Sequence, residues 1–104
     1  MTRCEFLIGK GIFYGFKITG HVGFDVKGKD VVCAAISAVS QSTLIGLNEV
    51  MKVNLNYEIK DGLIRCDLKD SNECAQFMMK TLYQTLVQIS KQYPRNVSIS
   101  EVEV

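Results

Sequence analysis

The chain has 104 residues, 47% of them apolar and 22% charged, which suits one globular domain around one hydrophobic core. Twelve basic and eleven acidic side chains leave a net charge of +1, so no face is expected to hold nucleic acid directly or an anionic membrane. No apolar run is read as long enough to span a bilayer and no charged-then-apolar leader is seen, which makes a cytoplasmic protein the expectation.

In chain order, residues 3–8 and 12–18 are predicted to form a hairpin around Gly9-Lys10-Gly11, read as a three-residue loop with glycine where left-handed backbone is wanted. That loop sets Ile8 opposite Ile12, Phe6 opposite Tyr14 and Cys4 opposite Phe16, an apolar face throughout. The stretch from Gly20 to Lys29 carries Gly20, Gly23 and Gly28 and is expected to be a mobile loop. A helix follows from about Asp30 to Leu47, rich in alanine and small side chains near its start.

Val53, Leu55, Tyr57 and Ile59 then alternate with Asn54, Asn56 and Glu58, the period of a half-buried strand. Asp61-Gly62 is a two-residue turn signal, placing Ile59 against Ile64, Tyr57 against Cys66, Leu55 against Leu68 and Glu58 against Arg65. A second helix, Asp70 to Gln92, opens on a capping box of Asp70 and Glu73. Ala75, Met78, Met79, Leu82, Leu86, Ile89 and Tyr93 form its apolar stripe, and Pro94 stops the pattern. Val97 to Val104 alternates with a phase shift, as a bulged edge strand would. The order ββαββαβ predicts an α+β two-layer sandwich, a mainly antiparallel sheet with two helices on one face.

The four cysteines contain no CxxC pair, and His21 is the only histidine, so neither a zinc site nor any other metal or cofactor is expected. Cys4, Cys66 and Cys74 are read as reduced, mostly buried thiols. Cys33 differs. With Asp30 as N-cap it is the third residue of its helix, in the turn whose amides and dipole favour an anion. Such a position lowers a thiol pKa, and the amides of Cys33 or Ala34 can hold the oxyanion formed when sulfur attacks a carbonyl. His21, between glycines and twelve residues before Cys33, is the one side chain present with a pKa suited to be the base. Ser37 lies one turn beyond Cys33 on the same helix face, where it can orient the histidine or bond a backbone carbonyl one turn earlier. Asp30 has two open roles: helix cap, favoured by the general preference for aspartate there, or carboxylate partner of the imidazolium.

Gly20-His21, followed by Asp30-Val31-Val32-Cys33-Ala34-Ala35-Ile36-Ser37, resembles the ribosomal-processing cysteine proteases of the Prp family, with their GHxG and D-[IV]-V-C-A-A-[IV]-S blocks. The likeness extends through Gly46-Leu47, Asp61-Gly62, Arg65-Cys66 and Gln92-Tyr93-Pro94, essentially the whole chain. It implies a dimeric α+β peptidase that trims an N-terminal extension from the bacterial large-subunit ribosomal protein numbered twenty-seven. Cys33 is then the nucleophile, His21 the base, and Asp30 and Ser37 fill the motif's other polar positions. Val22 stands where the family usually has alanine, a larger side chain in a loop expected to meet substrate with Gly20, Gly23 and Gly28. The rival reading is a non-catalytic, ribosome-associated binding module with Cys33 as core; redox sensing by Cys33 is weaker still, since no resolving cysteine is near in sequence.

Overall fold

Alternation along the first strand puts Thr2, Cys4 and Phe6 on one side, all essentially buried, while Arg3 is exposed on the other. The computed structural model containing that strand describes residues 1–20 and 31–104. Strands β1 (Thr2–Gly9), β2 (Ile12–Thr19), β3 (Leu55–Lys60), β4 (Leu63–Leu68) and β5 (Val97–Glu103) make one sheet in the order β3-β4-β2-β1-β5. Helices α1 (Val31–Ile45) and α2 (Glu73–Gln92) cover its buried face, with Phe6, Phe16, Ile18, Ile36, Ile64, Met79, Leu82 and Leu86 in the core. The α+β sandwich is the expected one.

The second hairpin has the expected register, with Ile59 on Ile64, Tyr57 on Cys66 and Glu58 on Arg65. The ion pairs there run along each strand instead of across: Lys60 to Glu58 at 3.2 Å and Arg65 to Asp67 at 3.3 Å. The first hairpin departs from expectation. Its turn is Lys10-Gly11 alone, with φ of 52° and 78°, the left-handed pair that a two-residue hairpin turn requires. Ile8 therefore faces Phe13, and a bulge then leaves Tyr14 over, so that Phe6 meets Phe16 and Cys4 meets Ile18. Ile12 and Tyr14, expected inside, are exposed. Phe13 takes their place and joins Tyr83 in an aromatic cluster in which both rings meet Phe6 edge-on.

Helix α2 begins later than its capping-box reading. Asn72, not Asp70, is the N-cap, its side-chain oxygen accepting from the Ala75 amide at 2.8 Å. Asp70 is tied to Asn54 instead, its amide donating to the Asn54 carbonyl and its carboxylate accepting from the Asn54 side-chain amide at 3.4 Å. Gln76 then pins the helix to β2 by bonding both the amide and the carbonyl of Phe13. After α2 the chain returns beside β1 in parallel, Thr2 on Val97 through Ile8 on Glu103, with an unbroken register where a bulge was expected. The phase shift in the sequence reflects what each side chain meets. Val97 and Ile99 pack inward, Glu101 shares their side and accepts from the Tyr83 hydroxyl at 2.8 Å, and Val102 lies on the outer face.

Helix α1 does not stop at Gly46-Leu47. It continues as a π-helical turn, Gly46–Val50, and ends before Lys52, whose φ is 57°. Val31–Val50 contains an 18-residue window of mean hydropathy 1.5 and is long and apolar enough to cross a membrane, against the expectation of no such run. Its apolar character has a use in the fold: Cys33, Ile36, Leu44 and Leu47 are buried in the layer against the sheet.

Burial pushes the Cys4 thiol from 9.0 up to about 12, and burial together with the Asp67 charge does the same to Cys66. The folded state thus keeps these protons while the unfolded chain releases them. The stability they contribute is present below pH 9 and is lost as pH rises toward 12. Melting temperature should fall across that window, and the fall should be shallower in Cys66→Ala.

Candidate active site

The feature expected to carry chemistry is where the sequence places it. Cys33 is the third residue of α1 and is 4% exposed. Its sulfur lies 3.7 Å from the hydroxyl oxygen of Thr2, the first residue of β1, itself 2% exposed. A helix's first turn directs its amide groups outward, and in α1 that turn runs from Val31 to Ala34. Ala34 is half-buried and Ala35 exposed, so only methyl groups flank the cysteine on these sides.

Gly20 follows β2 at the same end of the sheet. Its φ is 124°, and a Cβ there would lie 2.6 Å from the Met1 carbonyl oxygen and 3.1 Å from the Thr2 Cα. Glycine is required twice over, by backbone angle and by close approach. The chain thus leaves β2 packed against the residue that touches Cys33. His21, Val22, Gly23, Gly28 and Asp30 lie outside the described residues, as does the expected mobility of the loop that carries them. What the described residues contribute is the position of its two attachment points, Gly20 and Val31.

Ser37 is buried one turn beyond Cys33, and its hydroxyl accepts from the Gln41 amide nitrogen at 2.7 Å. Gln41 was not anticipated from the sequence. Nor was Thr2, although a hydroxyl in phase with Cys4 and Phe6 was a legible signal that a polar group enters the core. Between the start of α1 and the end of α2 lies a cleft of about 200 Å³ lined by Val31, Val32, Ala35, Ile89, Gln92 and Tyr93. Its mostly apolar walls adjoin the turn that bears Cys33. Of the other thiols, Cys4 and Cys66 are buried as expected, whereas Cys74 is exposed because it falls in the first turn of α2 away from the sheet. Among the described residues, no three His, Cys, Asp or Glu side chains come together as metal ligands.

A sequence model of the family described as cysteine protease Prp matches residues 1–98. The ribosomal processing cysteine protease Prp of Staphylococcus aureus is 31% identical over 85 residues, covering 78% of this chain and 79% of that protein. Among solved structures, SMU.848 from Streptococcus mutans superposes with a TM-score of 0.85 at 22% identity, over 100% of this chain and 99% of its own. The essential ribosomal processing protease Prp from S. aureus, in complex with a covalently linked product peptide, gives 0.87 at 22% identity, over 98% and 100%. The same protease with a substrate peptide gives 0.86 at 20% identity, again over 98% and 100%.

Proposed function

The chain belongs to the Prp family of cysteine proteases, and from that premise we propose that it removes the N-terminal extension of the bacterial large-subunit ribosomal protein numbered twenty-seven, using Cys33 and His21 as a dyad. The observation that carries this reading is the Thr2 junction: Cys33 at the head of α1 touches the residue against which β2 packs as it hands over to His21. The S. aureus relative, named for ribosomal processing and studied with a covalently linked product peptide, supports a peptide substrate and a covalent intermediate. Membership in a protease family displaces the rival binding module.

In the mechanism, the Cys33 thiolate attacks the scissile carbonyl carbon and the carbonyl oxygen takes the negative charge. The first-turn amides of α1 stabilise that oxyanion. As the C–N bond breaks, His21 gives its proton to the departing amine, leaving a thioester on Cys33. His21 then takes a proton from water, whose oxygen attacks the thioester and releases the acid and the thiolate. Ala34 and Ala35 leave the approach open, and the Val31–Tyr93 cleft receives a substrate side chain. The active species is a cytoplasmic homodimer that binds no nucleic acid directly; light scattering of the purified protein tests the dimer.

Incubation with the extended ribosomal protein, followed by mass spectrometry, should show loss of its N-terminal peptide. An intact precursor beside efficient cleavage of another protein would reassign the substrate. Asp30→Asn separates the two roles of that carboxylate. Asparagine caps about as well as aspartate, so a pure cap loses only ~0.3 kcal/mol and little activity. That is the expected result, measured by thermal melts beside cleavage rates. A steep activity loss at unchanged stability would assign the carboxylate to His21 instead.

A further inference from the structure

Thr2 places a hydroxyl where the fold asks for a hydrocarbon. It is 2% exposed, in phase with Cys4 and Phe6, and paired across the parallel ladder with Val97. Valine would fill the same shape without the cost of burying an oxygen. The hydroxyl's partner is the Cys33 sulfur at 3.7 Å, a contact between residues 31 apart in the chain. We propose that Thr2 is a positioning residue for the nucleophile, its hydroxyl donating a hydrogen bond to the Cys33 thiolate from the floor of the site. The proposal rests on the reading of Cys33 as nucleophile.

Three constraints hold the hydroxyl in place before any substrate arrives. The Thr2 amide donates to the Asn96 carbonyl at 2.8 Å, the β1–β5 ladder fixes the strand, and Gly20 closes against the Thr2 Cα. With sulfur protonated, either atom can donate. Once the thiol has ionised, only the hydroxyl can, and the bond becomes charge-assisted. It therefore favours the thiolate over the thiol and lowers the pKa of Cys33. The described side chains turned to this end of the core are otherwise Cys4 of β1, Ile18 of β2, Ile64 of β4, Val97 and Ile99 of β5 and Ile89 of α2. Of these only Cys4 titrates, near 12, so it is neutral throughout the working range; the other described titratable groups at this end are the Met1 ammonium beside Gly20 and the Tyr93 phenol in the cleft at the start of α1. Arg3 of β1 and Lys17 of β2 sit on the outer face, and Lys91 and Arg95 beyond the end of the α2 stripe are exposed.

The test follows alkylation of Cys33 by iodoacetamide against pH, read by peptide mapping, in the wild type, Thr2→Val, Thr2→Ala and Thr2→Ser, beside cleavage of a substrate peptide. Thr2→Val and Thr2→Ala should each raise the midpoint by about one pH unit, a roughly tenfold loss of rate below it. The loss should fall on kcat with KM unchanged, and Thr2→Ser should restore the wild-type midpoint. An unmoved midpoint in either folded hydroxyl-free variant overturns the proposal, as does failure of serine to rescue. Cys33→Ala separates the two readings. If it still cleaves, the peptidase assignment of Cys33 fails, while the alkylation midpoints continue to decide whether Thr2 holds the sulfur.

Discussion

Cys33→Ala is expected to abolish peptide cleavage and leave the protein folded. The side chain lost is small, and alanine is the best helix former, so its helix is not penalised. Removal of one buried sulfur atom from a site that is 4% exposed should cost about 1 kcal/mol, well inside the stability of an ordinary domain. Activity should fall on the order of 10⁶-fold, the scale seen when a covalent nucleophile is removed. No other cysteine can substitute: Cys4 and Cys66 are buried and neutral, and Cys74 sits at the start of α2. Thermal melts and mass spectrometry of the product check both halves. An unfolded variant would make Cys33 a core residue, and an active one would end its assignment as nucleophile.

His21→Ala should produce the second-largest loss, between about 10² and 10⁴ at neutral pH, the range ascribed to a positioned proton-transfer group. The chain holds no second histidine to replace it. The sequence reading places residue 21 in a glycine-rich loop, so the melting temperature should move little. The residual activity should rise with pH as the thiol ionises without its histidine, its midpoint still below the ~8.5 of an ordinary cysteine because the first turn of α1 and the Thr2 hydroxyl favour the thiolate. A pH–rate profile therefore distinguishes loss of the base from loss of folding. Retention of most activity at pH 7 would mean that another group activates the sulfur.

The register of the second hairpin was legible because three local signals agree: alternation from Val53 to Ile59, a two-residue Asp61-Gly62 turn, and matched apolar partners in Ile64, Cys66 and Leu68. In the first hairpin they disagree. Both Gly9 and Gly11 look like turn residues, and only the bulge at Tyr14 reconciles a two-residue turn with a continuous core of Phe13, Phe16 and Ile18. The Asn72 cap was hidden for a similar reason. Asp70 is as good a cap by residue type, but its carboxylate and amide are both engaged by Asn54, sixteen residues earlier.

The position of Cys33 in its helix is a local property. The spacing of Val32, Cys33, Ile36, Ser40 and Leu44 sets which side of α1 is buried, and the sequence by itself determined that Cys33 lies in the first turn. The neighbours of Cys33 are not local. Thr2 reaches the sulfur because β1 lies between β2 and a parallel β5, and because α1 lies across that sheet with its first turn above the start of β1. Periodicity records which side of an element faces the core, since each residue's burial leaves its mark at that residue. Which elements meet is decided by the summed packing of all of them, and that sum is written at no single position in the chain.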